Sequence, residues 1–415
     1  MSDSQLTQNV TLLGNAAATA NAAPAEKVDA TVVCLQNFLA PNMIAVCQSW
    51  SEKTRHLILL VSVAMEGNRA WTADDGGMDL RVQRTWTHAR TDHHPGGYSD
   101  VNYIHVPLDT IGQLRRAKPD VVVSCELGMR SILSAIYASA TGWFGLRRRR
   151  CQLVLAISTS PWIEASRSGF LRRTQRRWLL RFADAVTYHG PECRDWLVEL
   201  GVPEKELYPW IYAADPTKVY AGALQSPAGE NRSSLRLITV GQLIDRKGVR
   251  EGLGELIEVA KRMPNVVFHW TLLGDGPLMP VLRETQLPTN LTVDFRGNVN
   301  SEEIRDAYRE HEMMFFPTRG DEWGLVVDEA MHSGLVVIGN DRAQAVVTLV
   351  QTDINGYIYA PGNVNSLQTA IESFMSRSPG ERLRMRETVR KSVADRTHEI
   401  SAQQISDLVA KLKSN

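Results

Sequence analysis

The chain has no surplus of either charge: Lys plus Arg equals Asp plus Glu at 46 each. That balance removes any whole-chain argument for nucleic acid or an acidic partner and leaves only local ones. Paired cysteines are missing too. Cys34, Cys47, Cys125, Cys151 and Cys193 are odd in number and show no C-x-x-C spacing, which argues against a disulfide framework or a zinc site and fits a reducing cytoplasm. No stretch approaches the roughly 18 continuous apolar residues of a membrane span, the longest candidates being HLILLVSVAM and LVLAI. Residues 1–30 are polar and Ala/Asn-rich, without the basic start and apolar core of a secretory signal, and read as a flexible leader.

What the sequence does have is alternation. From 31 to 214, short apolar runs (ATVVCLQ, HLILLVSVAM, PDVVVSCE, QLVLAIS, ADAVTYHG) alternate with longer amphipathic stretches. Continuously apolar strands indicate a sheet buried on both faces, hence parallel and covered by helices. Residues 215–234 lose periodicity and gather Pro, Gly, Ser and Asn, as a linker does. A second alternation fills 235–385 (LRLITVGQL, VVFHWTLLGDG, LTVDFRG, MMFFPT, LVVIGND, GYIYAP), and 386–415 reads as one or two terminal helices. The expected fold class is α/β, with two doubly wound, Rossmann-like domains facing a cleft. Ligands in such sheets bind beyond the carboxyl ends of the strands, so the residues just after each strand matter most.

After the first strand of the second domain comes VGQLIDRKGV. Gly241 permits close backbone approach, and Arg246 and Lys247 bring cations to a helix start that already carries about half a positive charge. Solvated basic residues in a βα loop are the plainer alternative. LLGDGPL, at the next strand end, is by itself an ordinary tight turn. The stretch TRGDEWGLVVDEAMHSGLVVIGND, 318–341, places Asp321 and Glu322 before a Trp-Gly turn and Asp328 and Glu329 inside a helix. Acids beside an anion-binding helix start would repel a phosphate unless they accept hydrogen bonds, and sugar hydroxyls would supply them. Helix capping alone would account for Asp321 or Glu322 but not for Glu329.

VGQLIDRKG, LLGDGP, FRGNV, the 318–341 stretch and NGYIYAP, in that order, resemble the nucleotide-sugar domain of the retaining, GT-B-fold glycosyltransferases of family 4. The resemblance implies a nucleotide-sugar-dependent hexosyltransferase that builds a surface polysaccharide or glycolipid. It carries Asp321 and Glu329, eight apart, onto the family's paired acids, the first near donor-sugar hydroxyls and the second on the ribose. Lys247 falls on the diphosphate lysine, Gly324, Leu325 and Val326 on the backbone that meets the phosphates, and Asn298 and Val299 where the base is held. Catalysis is thus expected of Lys247, Arg246 and Asp321. Donor binding is expected of Gly241, Gln242, Asn298, Val299, Glu322, Gly324, Leu325, Val326 and Glu329. Three features depart from the family pattern: Asp321 stands for Glu, Gln242 for Arg, and CLQNFLAPNM lacks the usual Gly-Gly.

No D-x-D occurs, so no metal site is expected. The leaving diphosphate is left to Lys247, Arg246 and the helix end. No cofactor is expected either, the nucleotide sugar being a substrate. On the acceptor side, THARTDHHPGGYSD is read as a loop, surface or active-site, that offers His93 and His94, and SCELGMR places Glu126 and Arg130 at the cleft edge. Between Arg147 and Arg181 stand ten Arg and one acid, Glu164, interleaved with Trp143, Phe144, Trp162, Phe170 and Trp178. Basic charge with aromatics suits an anionic membrane surface and a polyprenyl-linked or glycan acceptor. A solvated helix face is the plainer reading, and no nucleic-acid partner is expected. The chain is therefore expected in the cytoplasm, on the inner face of the membrane. Another enzyme on the same scaffold (an epimerase or hydrolase of sugar nucleotides) and a non-catalytic sugar-nucleotide binder stay open.

Overall fold

A computed structural model describes residues 27–66, 76–143, 151–165, 169–224 and 233–414. Most of the expected leader, Arg147 to Arg150 and Arg167 lie outside the described residues.

The first domain carries β1 (Val28–Gln36), β2 (Thr54–Val61), β3 (Asp79–Val82), β4 (Thr85–His94), β5 (Tyr98–Pro107), β6 (Val121–Cys125), β7 (Gln152–Ile157), β8 (Ala185–Tyr188) and β9 (Leu207–Pro209). Seven of these form one sheet in the order β3-β2-β1-β6-β7-β8-β9, with every neighbouring pair parallel. The second domain has β10 (Ser234–Val240), β11 (Val267–Leu273), β12 (Leu291–Gly297), β13 (Met313–Phe316), β14 (Val336–Asn340) and β15 (Gly356–Tyr359). They form a parallel six-stranded sheet in the order β12-β11-β10-β13-β14-β15. In both sheets the strand order reverses beside the first strand, which opens a crevice at its carboxyl end.

The apolar runs read from the sequence are the central strands. Val32, Val33, Cys34 and Leu35 are fully buried, as are Val336, Val337 and Ile338, because helices cover both faces. Helix starts follow local chemistry: Asn300 with Glu303, and Ser378 with Glu381, form capping boxes at Ser301–Glu310 and Pro379–Ser392.

Two features differ from the expectation. THARTDHHPGGYSD is not a loop but most of the antiparallel hairpin β4-β5, with Thr85 to His94 pairing in register with Pro107 to Tyr98. Thr, Trp, Tyr, Val and Ile favour extended backbone and suit a pleated ribbon, and Pro95-Gly96-Gly97 makes the turn. The terminal helices also part company. Met385 and Val389 of Pro379–Ser392 join the core of the second domain, whereas Ala402, Ile405, Leu408, Val409 and Leu412 of His398–Ser414 complete the first, against Val46, Cys47 and Trp50 of the helix Pro41–Lys53. Trp210 Nε1 donates to the Ser401 carbonyl at 3.1 Å, and Trp210 meets Trp50 edge to face at 6.4 Å. The chain thus crosses between the domains twice.

Each fully buried Leu, Ile or Val is worth about 1.5–3 kcal/mol, so removing residues 398–414 strips the first domain of a large share of its stability. Thermal denaturation of the shortened protein should show an early, separate first-domain transition. A melting curve unchanged from the full chain would reject the last helix as part of that core.

Candidate functional site

The carboxyl ends of β10 and β13 feed two loops that lie against each other. Gly248 has φ 65, and a Cβ there would stand 2.1 Å from the Pro317 carbonyl oxygen, so only glycine allows the loop to close. That turn presents Arg246 and Lys247. The Arg319 N–H and the Thr318 hydroxyl donate to the Arg246 carbonyl at 2.9 and 3.2 Å, which fixes one loop on the other. Gly324, with φ 97, turns the chain into the helix Leu325–His332, where the Val327 N–H closes on the Gly324 carbonyl at 2.8 Å and the N–H groups before it have no carbonyl a turn earlier in the helix.

The resulting cleft, about 790 Å³, lies between the domains and is lined by Gln242, Arg246, Lys247, Asp321, Glu322, Gly324, Leu325 and Val326 from the second. Its cations are already partnered. Lys247 Nζ pairs with Asp321 Oδ2, and Arg246 lies 3.7 Å from Asp321 Oδ1. From the first domain, Asp100 on β5 accepts from Arg246 Nε at 2.6 Å. Burial lowers the Arg246 pKa, but the charges of Asp321, Asp100 and Glu322 outweigh it and the net shift is upward.

The hairpin turn and the short helix Pro161–Glu164 hold the domains together at this point. Arg319 Nη2 donates to the Gly96 carbonyl at 2.6 Å, Trp162 Nε1 donates to the Arg319 carbonyl at 2.8 Å, and the Arg342 guanidinium lies over the Trp162 ring at 3.8 Å. Gln344, fully buried, donates from Nε2 to the Ser158 carbonyl at 2.8 Å and also to the Glu322 carbonyl. Asp100, Arg319 and Gln344 were not singled out by the sequence. Asp100 lies inside the quoted THARTDHHPGGYSD, but nothing local reveals a partner 146 residues away.

On the first-domain wall, Glu126 follows β6 with φ 63, a left-handed position costing of order 1–3 kcal/mol for a non-glycine residue. The Ser158 N–H and hydroxyl donate to its Oε1 at 2.9 and 2.5 Å. Burial raises the Glu126 pKa against those bonds. Arg130 is buried, with Nη1 on Asn37 Oδ1 and on Ser62 Oγ at 3.2 Å, and Nη2 on the Cys125 carbonyl at 3.0 Å. His189, at the end of β8, also lines the cleft. Its Nδ1 donates to the Trp210 carbonyl at 2.5 Å, and burial lowers its pKa to about 4, so the ring is neutral with Nε2 as the acceptor nitrogen. No sequence motif pointed to it.

Several candidates stand apart from the cleft lining. His93 is exposed and bonded to Ser99 Oγ at 2.8 Å. His94 does line the cleft, but both of its ring nitrogens are engaged. The Gly96 N–H donates to Nδ1 at 2.8 Å, which leaves the proton on Nε2 to bond the Trp162 carbonyl at 2.6 Å. Gly241 supports the strand end through a bond to the Leu273 carbonyl. Asn298 is exposed and Val299 half-buried, packed toward the second-domain core. Glu329 is 1% exposed and faces Lys218 at 3.5 Å, below the helix start rather than in the lining. Asp328 is tied to Arg396 at 2.8 Å and to Trp323 Nε1, a purely internal role.

The Arg-rich segment is not a uniform surface face. Arg172 and Arg176 turn inward and share Glu164, at 2.6 and 2.7 Å, beside the cleft. Arg173 and Arg177 face solvent, with Phe170 84%, Leu171 82% and Trp178 46% exposed. One buried acid on the inner face of the helix Phe170–Leu180 accounts for the split. Among the described residues, no helix is long and apolar enough to cross a membrane.

Residues 234–377 match the family model described as "Glycosyl transferases group 1", and residues 16–208 match "Glycosyl transferase 4-like domain". Among curated proteins, sulfoquinovosyl transferase SQD2 of Arabidopsis thaliana is 29% identical over 32% of this chain and 26% of its own length. The GtfA subunit of the UDP-N-acetylglucosamine–peptide N-acetylglucosaminyltransferase of Streptococcus agalactiae is 23% identical over 37% of this chain and 30% of its own. The matched region thus spans less than a third of either relative. Among solved structures, sucrose-phosphate synthase from Thermosynechococcus elongatus superimposes with a TM-score of 0.65 at 14% identity, over 92% of this chain and 99% of that one. HepE of Anabaena, solved in complex with UDP, gives 0.67 at 14% identity over 92% and 100%. The fold is GT-B.

Burial pushes the Glu329 carboxyl up to about 7 against the pull of Lys218. The folded protein therefore holds this proton more tightly than the unfolded chain, and the stability it brings is present at low pH and lost as pH rises from about 4.5 towards 7. Glu329→Gln should flatten the pH dependence of the melting temperature across that interval. An unchanged slope would assign the dependence to another group.

Proposed function

We propose that this chain, which belongs to the group 1 glycosyltransferases, transfers a sugar from a nucleotide-sugar donor to a glycan or lipid-linked acceptor, with retention at the anomeric carbon. The observation that carries this reading is that Arg246 and Lys247, at a strand-end loop, and the helix start at Gly324–Leu325 line one interdomain cleft. A diphosphate seated there meets two cations and a helix N-terminus. At about 4 Å and an effective dielectric near 20, one such contact is worth about 4 kcal/mol before desolvation. As the sugar–phosphate bond breaks, negative charge grows on the leaving oxygen, and contacts that strengthen at that moment lower the barrier.

Arg246 takes the place of the cation missing at Gln242. Asp321, released from Lys247 by the incoming phosphate, is free to accept hydrogen bonds from the donor sugar, and Glu322 lines the same side. The shorter Asp321 side chain is offset by its position on the loop beside Lys247. Because Asp100, Asp321 and Glu322 surround two cations, a diphosphate enters only if an acid gives way, and Asp100 is the one on the other domain. Donor binding is thus read as a step that loosens the hairpin. No cofactor or metal is assigned a step in this reading. Asn298, Val299 and Glu329 are kept as base and ribose contacts that a shift of the β12 end and of the helix would bring to the donor.

The acceptor side is read as a membrane-facing one. Phe170, Leu171 and Trp178 offer apolar contact, and Arg173 and Arg177 offer charge, on one exposed helix of the first domain. On this reading the protein works at the inner face of the cytoplasmic membrane.

A thermal-shift comparison of UDP-, GDP- and ADP-sugars identifies the donor, and acceptor-dependent release of nucleoside diphosphate then tests transfer. Release without acceptor points to a hydrolase, and binding without release to a non-catalytic binder. With the donor in hand, Lys247→Ala should lower turnover by about two to three powers of ten while the melting temperature holds; near-normal turnover removes Lys247 from the mechanism. For the membrane reading, the full chain should pellet with vesicles containing anionic lipid and be released by salt, since each Arg near such a surface adds about 1 kcal/mol. Changing Phe170 and Leu171 to Ser together with Arg173 and Arg177 to Gln should abolish pelleting. Wild-type protein that ignores anionic vesicles at low salt would make this helix a solvated face.

A further inference from the structure

The first-domain wall of the cleft has a feature that donor chemistry does not use. The helix Met129–Trp143 starts at the carboxyl end of β6, with no acidic residue in its first turn. Gly128 sits at the cap, its carbonyl accepting from the N–H groups of Ser131 and Ile132 at 3.1 and 3.2 Å. Gly128 and Met129 are exposed in the lining, and the space in front of Gly128 is open, since a Cβ there would meet nothing within 4 Å. A helix start of this kind is a common seat for anions, but alone it proves nothing.

The second observation is Arg130. It lines the cleft and is only 4% exposed, so its charge is largely removed from water. Among the described residues, no carboxylate lies within ion-pair distance of it. Its contacts are the neutral oxygens of Asn37, Ser62 and Cys125, and Nε has no hydrogen-bond partner. A buried guanidinium held by neutral groups is costly unless an anion completes it. Farther along the same wall, Arg172 and Arg176 share the single acid Glu164, and the charges of Glu126 and Glu66 act on Arg130 without touching it. Glu126, the acid between these groups, is bonded to Ser158 and held toward its neutral form by burial.

We propose that Gly128, Met129 and Arg130 form an acceptor subsite for an oxyanion, a phosphate carried by the acceptor, with Arg176 and Arg172 on its rim. It rests on the transferase reading only for the word acceptor. The geometry places this seat across the cleft from Arg246 and Lys247, so an acceptor anchored there by its phosphate would extend its hydroxyl toward the donor site.

The test uses inorganic phosphate titrated into the full-length Lys247→Ala protein, in which the donor-side lysine is gone, with binding followed by phosphorus NMR and calorimetry. Binding in the millimolar range is expected. Gly128→Asp should weaken it at least tenfold while the melting temperature holds or rises, because aspartate is a favoured helix cap and the space is open. Arg130→Gln should weaken it similarly; if that protein fails to fold, the Gly128→Asp result decides alone. No binding by the Lys247→Ala protein, or binding indifferent to Gly128→Asp, overturns the proposal. Decyl phosphate binding more tightly than inorganic phosphate identifies a lipid headgroup as the source, and equal affinities identify a soluble phosphate. A protein that binds nucleotide sugars but no phosphate loses only this subsite, whereas one that binds phosphate but no nucleotide sugar loses only the donor reading.

Discussion

Two cations and three acids meet where the strand ends of the two sheets face each other, and the rest of the molecule is organised around that meeting. Arg246 and Lys247 come from one domain with Asp321 and Glu322, and Asp100 comes from the other. An unpaired buried charge is costly, and the cations draw in the hairpin of the opposite domain through Asp100. On the proposed reading, an arriving diphosphate competes for the same cations. Domain approach and ligand binding then share one set of contacts, which ties the position of the hairpin to the state of the site without any long-range relay.

The contacts around this cluster make the competition local. Trp162, Arg342, Arg319 and Gly96 pack side by side a few residues from Asp100, and Gln344 joins the two backbones at Ser158 and Glu322. The last helix returns to the first domain and anchors Trp210, itself a residue of the cleft lining. The interface therefore has a polar, exchangeable side at the site and a continuous chain crossing behind it, the arrangement expected of a hinge. The segment at 215–220 is part of that crossing, docked on the second domain through Lys218 with Glu329 and the Tyr220 N–H with Ser333 Oγ.

Arginine's uses in this chain show how context divides a single residue type. Arg173 and Arg177 face solvent, Arg172 and Arg176 converge on Glu164, and Arg130 is enclosed by neutral oxygens. A count of charge along the chain sees one basic cluster. The helical period of the segment, with Glu164 on its inner side, separates an exposed pair from a cleft-facing pair.

The sequence by itself determined the two parallel sheets, because strands buried on both faces must be apolar throughout and such runs stand out. It also determined the loop Gly241–Gly248 and the turn at Gly324, because glycine and paired cations at a strand end are local signals tied to backbone geometry. Tertiary structure alone decided what those groups touch. The pairing of Asp100 with Arg246, the burial of Glu329 against Lys218, the capture of both His94 nitrogens, and the return of His398–Ser414 to the first domain all join residues distant in sequence. The hairpin was hidden for a related reason: its ribbon alternates only loosely between polar and apolar, and its pairing partner lies across a turn rich in the residues that also make loops. Contacts of this kind depend on how two separately folded sheets are set against each other, a quantity with no period or motif along the chain.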